Sequence, residues 1–122
     1  MPRRVVCIED EADMIELIQL ILARENVEFH GFRRGVEGLK AVEREQPDLV
    51  LLDLMMPDLD GWSIHDQLKS NPKTQHIPIL IVTARGYQDP RLVNMHAAHA
   101  ENLVTKPFGP KDLIDAVNRL LS

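Results

Sequence analysis

The chain has 122 residues and a formal net charge of −5; 44% of its residues are hydrophobic and 27% are charged. That length fits one domain that buries about two-thirds of its unfolded surface, and the composition excludes disordered and collagen-like classes. The negative charge argues against a basic nucleic-acid-binding face, so we expect no direct nucleic-acid binding.

Short apolar segments and longer amphipathic segments alternate along the chain. In chain order, strands are predicted at residues 5–8, 27–32, 49–52, 79–82 and 103–104, and helices at residues 11–25, 35–45, 62–70, 90–100 and 110–121. Three strands are continuous apolar runs, which is typical of strands covered on both faces, whereas residues 27–32 alternate more and fit an edge strand. We therefore expect a three-layer (βα)₅ α/β fold over a single domain, residues 1–122. Its doubly wound parallel sheet would be flavodoxin-like, with strand order 2-1-3-4-5.

Cys7 is the single cysteine of the sequence and lies in the apolar run VVCI. A lone cysteine excludes an intrachain disulfide and a cysteine-based zinc site, and its apolar neighbours predict a buried, unreactive thiol. No apolar run approaches the roughly 20 residues that a membrane span requires. The run that follows Arg3 and Arg4 is also too short for a signal sequence. We therefore expect a cytoplasmic protein with no membrane partner.

Chemically reactive residues follow four of the five predicted strands. Glu9 and Asp10 follow the first strand, Asp53 the third, Thr83 the fourth and Lys106 the fifth. The carboxyl ends of parallel strands share one edge of the sheet, and the predicted strand order puts the first and third strands side by side there. We therefore expect these side chains to converge on one site.

Three converging carboxylates require a compensating charge, because two like charges about 4 Å apart repel by about 4 kcal/mol at an effective dielectric near 20. Three acids and one lysine sum to −2, which one divalent cation neutralises, and an all-oxygen ligand set favours Mg²⁺. Mg²⁺ often completes its shell with phosphate oxygens, which points to phosphoryl chemistry. Asp53 is then the candidate nucleophile that forms an aspartyl phosphate. Thr83 and Lys106 would contact the phosphoryl oxygens, and Ala84 would leave them room.

Each of these residues also has an ordinary structural explanation. Asp10 fits a helix cap, Asp53 a turn residue, Thr83 a strand residue and Lys106 a surface lysine. The functional interpretation therefore rests on their joint arrangement at one edge of the sheet.

The sequence resembles the receiver domain of two-component response regulators over nearly its whole length. The resemblance lies in the pair Glu9 and Asp10, Asp53 within LLDLMMPDLDG, the pair Thr83 and Ala84, and the triplet Lys106, Pro107 and Phe108. These motifs imply a domain that takes a phosphoryl group from a sensor histidine kinase or a histidine phosphotransfer protein. Such a domain switches conformation to control a downstream protein or an output domain. The resemblance implies no enzyme activity beyond assistance with the domain's own phosphorylation and dephosphorylation.

The resemblance also implies a role for each residue of the site. Asp53 resembles the phosphoacceptor, and Glu9, Asp10, Asp53 and the Met55 carbonyl resemble the Mg²⁺ ligands. Thr83 resembles the hydroxyl that moves toward the phosphoryl group, and Lys106 resembles the ion-pair partner. The peptide bond between Lys106 and Pro107 is expected to be cis.

Three positions carry further expectations. Leu103 stands three residues before Lys106, where the family usually has Tyr, Phe or His, so the inward-rotating aromatic ring is missing. The family's common glycine before the fifth strand is also missing, where this chain reads AHA at residues 98–100. Both changes lie near the surface through which many receivers signal, so a different output face is an open alternative. Met55 lies beside the expected path of hydrolytic water and cannot orient it, which predicts slow loss of the phosphoryl group.

Two other functional classes share part of this pattern. A phosphatase or phosphotransferase of the haloacid-dehalogenase type would need a second aspartate two residues after the nucleophile, where this chain has Met55. A binding-only pseudo-receiver would keep the fold without phosphorylation. Leu103 slightly favours the pseudo-receiver, and the intact acidic pair, Asp53 and Lys106 oppose it.

Overall fold

A computed structural model of the chain describes residues 2–85, 89–97 and 102–122. The described residues form, in order, β1 (Arg3–Ile8), α1 (Ala12–Leu22), β2 (Val27–Phe32), α2 (Gly35–Glu45), β3 (Leu49–Leu52), α3 (Gly61–Ser70), β4 (Ile79–Thr83), α4 (Pro90–Ala97), β5 (Leu103–Thr105) and α5 (Pro110–Leu121). The strands pair in parallel in the order β2-β1-β3-β4-β5. The predicted (βα)₅ fold and its strand order are therefore confirmed, and β2 lies at an edge as expected.

The sheet separates two layers of helices because successive strand residues point to opposite faces. One face packs against α2, α3 and α4, and the other packs against α1 and α5. The first face is formed by Val6, Ile8, Val50, Leu52, Ile79 and Ile81, and the second by Val5, Cys7, Leu49, Leu51, Leu80 and Val82. Burial raises the pKa of the Cys7 thiol, which fits the predicted unreactive cysteine.

Several element boundaries differ from the sequence predictions. α1 ends at Leu22 rather than at residue 25, because the backbone tightens there into i→i−3 hydrogen bonds, from the Ala23 N–H to the Leu20 carbonyl at 3.3 Å and from the Glu25 N–H to the Leu22 carbonyl at 3.0 Å. β1 begins at Arg3, two residues early, and β4 continues through Thr83. The predicted end of α4 at residues 98–100, including the AHA segment, lies outside the described residues. No helix among the described residues has both the length and the apolar character needed to cross a bilayer.

Candidate functional site

The carboxyl ends of β1 and β3 bring three acidic side chains together. Ile8 pairs with Leu52 across the two strands, so Glu9 and Asp53 leave the sheet at the same level. The Asp53 N–H donates to the Ile8 carbonyl at 3.0 Å. One carboxylate oxygen from each of Glu9, Asp10 and Asp53 lies within 4.8 Å of the other two. We call these three residues the acidic cluster.

Lys106 reaches the acidic cluster from the end of β5. Its Nζ donates to Glu9 Oε1 at 2.5 Å and to Asp53 Oδ2 at 3.0 Å. Its backbone N–H donates to the Thr83 carbonyl at 2.9 Å, and its peptide bond to Pro107 is cis, the geometry that the resemblance implied. The Lys106 side chain is only 10% exposed, so it is not an ordinary surface lysine.

Burial and pairing set the charges of this site. Desolvation raises the pKa of Glu9 to about 7, although its hydrogen bond from Lys106 opposes the shift. Burial alone would lower the pKa of Lys106, but hydrogen bonds to Glu9 and Asp53 outweigh it and hold that pKa above its ordinary value. The raised Lys106 pKa favours a charged pair, whereas the raised Glu9 pKa favours a neutral carboxyl. We take Lys106 as charged because two carboxyl groups face it, and Glu9 as the carboxyl that most needs a further cation.

The donor chemistry of the acidic cluster fits Mg²⁺. Three carboxylates and one ammonium leave a charge of −2, and the Glu9 and Asp53 side chains are 2% and 5% exposed. The donors are all oxygen atoms, which is the ligand set that Mg²⁺ takes in proteins. Asp10 does not cap α1, because the N-cap residue is Glu11 and no side chain makes a capping bond there. Asp10 is therefore not committed to helix capping, and its carboxylate can join those of Glu9 and Asp53 in holding a divalent ion.

The loop between β3 and α3 folds back on the residue that follows Asp53. The Met55 N–H donates to Asp53 Oδ1 at 3.0 Å, and the Gly61 N–H donates to the Leu54 carbonyl at 3.1 Å. A Cβ at residue 61 would lie 2.2 Å from Leu54 Cα, so only glycine permits this closure. The loop keeps the Met55 backbone beside the Asp53 carboxylate, while the Met55 residue is 53% exposed.

Thr83 lies at the same edge of the sheet but makes a different contact. It is fully buried as the last residue of β4, and its Oγ1 accepts a hydrogen bond from the Arg85 N–H at 3.1 Å. Within residues 2–85, 89–97 and 102–122, no hydrogen bond joins the Thr83 hydroxyl to the acidic cluster. Ala84, the next residue, is exposed. In this structure Thr83 is therefore near the site without contacting its carboxylates.

A series of polar side-chain contacts that the sequence analysis missed begins in this region. The Arg85 guanidinium donates to the Leu54 carbonyl at 3.3 Å and to the Asp89 carboxylate at 3.2 Å. Asp89 also accepts from the Trp62 indole N–H at 2.7 Å, and the Arg91 guanidinium lies 4.0 Å from the centroid of the Trp62 ring. These contacts connect the β3–α3 loop to the start of α4. Trp62 and Asp89 are 27 residues apart, so no local sequence pattern signals their contact.

Leu103 stands at the position where the resemblance led us to expect an aromatic ring. It pairs with Ile81 in the sheet and is partly buried against the core cluster that includes Trp62 and Leu92. Its aliphatic side chain is therefore a packing residue at the edge strand and has no ring to rotate.

Comparison with known proteins decides the family. A family model for the response regulator receiver domain matches residues 5–118. The chain belongs to this family of two-component receiver domains. It is 32% identical to the phosphate regulon transcriptional regulatory protein PhoB of Escherichia coli K12, covering 99% of this chain and 52% of PhoB. It is 31% identical to the regulatory protein VanRc of Enterococcus gallinarum, covering 99% of this chain and 51% of VanRc.

Solved structures agree with this assignment. The N-terminal domain of a response regulator receiver protein from Methanoculleus marisnigri is 29% identical to the chain, with a TM-score of 0.75 and coverage of 98% of this chain and 97% of that one. The chemotaxis protein CheY4 of Vibrio cholerae is 21% identical, with a TM-score of 0.86 and coverage of 99% and 100%, which supports the fold alone. The receiver domain spans about half the length of the curated relatives it matches.

Proposed function

We propose that this receiver domain accepts a phosphoryl group on Asp53 from a phosphohistidine of a sensor histidine kinase or a histidine phosphotransfer protein. The observation that carries the proposal is the convergence of the acidic cluster with Lys106, whose Nζ lies 3.0 Å from Asp53 Oδ2. Membership of the receiver family supports it, because receiver domains bind Mg²⁺ at an acidic pocket.

Asp53 supplies the nucleophile. One carboxylate oxygen forms a bond to phosphorus while the P–N bond to the donor imidazole breaks. The electron pair of that bond stays on the leaving imidazole nitrogen, and the proton on the other ring nitrogen makes the leaving group a neutral histidine. Lys106 holds Asp53 Oδ2 and the Met55 N–H holds Oδ1, so the carboxylate is oriented through both oxygens. Bound Mg²⁺, with Glu9, Asp10, Asp53 and the Met55 carbonyl as candidate ligands, would neutralise charge on the phosphoryl oxygens.

Lys106 and Thr83 act on the phosphorylated form. Phosphorylation adds roughly two negative charges at pH 7, and the Lys106 ammonium is already in place to pair with them. The Thr83 hydroxyl gives up its hydrogen bond from the Arg85 N–H and donates a hydrogen bond to a phosphoryl oxygen instead. The small side chain of Ala84 leaves room for the phosphoryl group. Because these contacts differ between the unphosphorylated and the phosphorylated domain, phosphorylation shifts the population toward the active conformation.

The output of this switch is control of a downstream protein or an attached output domain. PhoB is named as a transcriptional regulatory protein, and it is about twice as long as this chain. We assign direct nucleic-acid binding to such a partner rather than to residues 1–122, because this domain carries a net charge of −5. We further propose that residues 1–122 form a single receiver domain that acts in the cytoplasm without a membrane partner.

A binding-only pseudo-receiver is the second candidate, and Leu103 favours it because the usual aromatic switch is missing. The acidic cluster and the buried Lys106 oppose it, since a domain that is never phosphorylated has no need of three crowded carboxylates. The haloacid-dehalogenase alternative lacks its general acid, because Met55 at that position has no proton to give.

The test is intact-mass measurement after incubation with Mg²⁺ and phosphoramidate, a small phosphodonor. We expect the mass of one phosphoryl group on the wild-type protein, none on Asp53→Asn, and an unchanged adduct on the control Asp48→Asn at the opposite end of the sheet. An unmodified wild type, or an adduct that persists in Asp53→Asn, would favour the binding-only function. Continuous turnover of a phosphomonoester would instead favour a phosphatase.

A further inference from the structure

The connection between β2 and α2 contacts both loops that carry candidate metal ligands. The Arg33 Nε donates to the backbone carbonyl of Asp10 at 2.9 Å. The N–H groups of Gly35 and Val36 donate to Asp58 Oδ1 at 2.9 Å and Oδ2 at 3.3 Å. Asp10 belongs to the loop after β1, and Asp58 belongs to the loop after β3. We call residues 33–36, which are this connection and the first two residues of α2, the brace.

Asp58 caps α2 from a distant part of the chain. The first N–H groups of a helix have no partner within the helix and are usually satisfied by the N-cap side chain. The N-cap residue of α2 is Arg34, which makes no capping bond, and Asp58 supplies the acceptors from 23 residues away. The hydrogen bonds from Gly35, foremost, and from Val36 lower the pKa of Asp58, so its carboxylate stays charged. One side chain therefore holds the start of α2 and the β3–α3 loop together.

The packing beneath this contact is close. A Cβ at residue 35 would lie 2.8 Å from Ile64 Cδ1 and 3.1 Å from Leu59 Cβ, so glycine lets the loop lie directly against the start of α2. Leu59 is partly buried against the core cluster on the same side of the sheet. The hydrogen bonds and this packing together fix the distance between the brace and the tip of the loop.

We propose that Asp58 is a positioning residue for the metal site, and that the brace holds the loops of Asp10 and Met55 at the separation that Mg²⁺ binding requires. The inference rests on the proposed function. Met55 comes three residues before Asp58 in the same loop. In a variant that lacks the Asp58 carboxylate, the loop keeps the hydrogen bond from the Gly61 N–H to the Leu54 carbonyl but is no longer bonded to the start of α2. Mg²⁺ binding must then order the loop, and the conformational entropy lost in doing so weakens the Mg²⁺ affinity.

The experiment compares Mg²⁺ affinity, measured by calorimetry, with the free energy of unfolding in urea for four variants. We expect Asp58→Ala to raise the Mg²⁺ dissociation constant about tenfold. Asp58→Asn keeps an acceptor for the Gly35 N–H and should stay near the wild-type dissociation constant. Asp48→Ala is the matched control, because Asp48 is an exposed aspartate that also accepts a backbone N–H, from Arg4 at 2.8 Å, at the opposite end of the sheet.

The double variant Asp58→Ala/Arg34→Asn separates positioning from stability. Asparagine at the N-cap gives α2 a local cap, and the two charge changes cancel, but the loop stays untethered. We expect its unfolding free energy to return toward the wild-type value while its Mg²⁺ affinity stays low. Recovery of Mg²⁺ affinity together with stability would overturn the inference, as would equal affinities in Asp58→Ala and Asp48→Ala. A wild-type protein that binds no Mg²⁺ would overturn the proposed function itself, and with it the inference that the brace positions the metal site.

Discussion

Replacement of Lys106 by methionine removes one ammonium and keeps most of the aliphatic side chain. It leaves Glu9 and Asp53, which are 2% and 5% exposed, facing each other without a cation in the metal-free protein. Removing one partner of a buried ion pair typically destabilises a protein by about 3–5 kcal/mol, because the remaining charge is uncompensated. We expect a loss of this size in the free energy of unfolding of Lys106→Met at pH 9.

The loss should depend on pH in a defined direction. Without Lys106, the pKa of Glu9 rises further above its wild-type value of about 7. Between pH 7 and that higher pKa, the folded variant keeps the proton on the Glu9 carboxyl, whereas the folded wild type has lost it. The stability difference therefore grows as pH rises through this window, by up to about 1.4 kcal/mol per unit, and is smaller at pH 6 than at pH 9.

Urea unfolding of metal-free protein at pH 6 and pH 9 measures this difference. Lys111→Met is the matched control, because Lys111 is 87% exposed and pairs with Asp115 at 2.7 Å on the surface of α5. An exposed ion pair of this kind contributes about 0–1 kcal/mol to the free energy of unfolding. A Lys106→Met loss no larger than the Lys111→Met loss, or one that is equal at both pH values, would refute the electrostatic account of the site.

Three further predictions concern other residues. In metal-free wild type, the raised pKa of Glu9 stabilises the folded state fully below pH 4.5, and this stabilisation, about 3 kcal/mol, is lost as pH rises through 7. Urea unfolding should show this pH dependence in wild type and not in Glu9→Gln. Met55→Asn supplies a polar group that can orient water, so phosphoryl loss measured with a radiolabel should accelerate several-fold; an unchanged half-life, or a wild-type half-life of seconds, would count against this role. Phosphorylation should change the fluorescence of Trp62, the single tryptophan of the sequence, because Thr83 releases the Arg85 N–H. Thr83→Ala should still be phosphorylated without that fluorescence change, and an undiminished change would exclude the Thr83–Arg85 route.

The sheet edge could be predicted from the sequence because apolar runs end sharply at Ile8 and Leu52. In a parallel sheet those endpoints fall side by side, so Glu9 and Asp53 had to meet once the strand order was right. Lys106 was harder to judge, since one lysine after a short strand resembles a surface residue. Its burial follows from the two carboxylates it contacts, which only the three-dimensional arrangement supplies.

Contacts between loops could not be predicted in the same way. The Asp58 cap on Gly35 spans 23 residues, and the contact of Arg85 with the Leu54 carbonyl spans 31. Asp58, Leu54 and Arg85 lie in irregular segments, so hydrophobic periodicity carries no information about their partners. The early end of α1 had a local cause, the i→i−3 hydrogen bond from the Ala23 N–H to the Leu20 carbonyl, which the helical apolar pattern does not indicate.

The most direct test of the central claim is to locate the phosphoryl group within the chain. Protein treated with Mg²⁺ and phosphoramidate is reduced with borohydride, which converts an aspartyl phosphate to homoserine, and the peptides are then sequenced by mass spectrometry. We predict conversion of Asp53 alone, and its loss when Mg²⁺ is removed by a chelator. Conversion at Asp10 or at another carboxyl, or equal conversion of Asp53 in the presence of the chelator, would contradict the account.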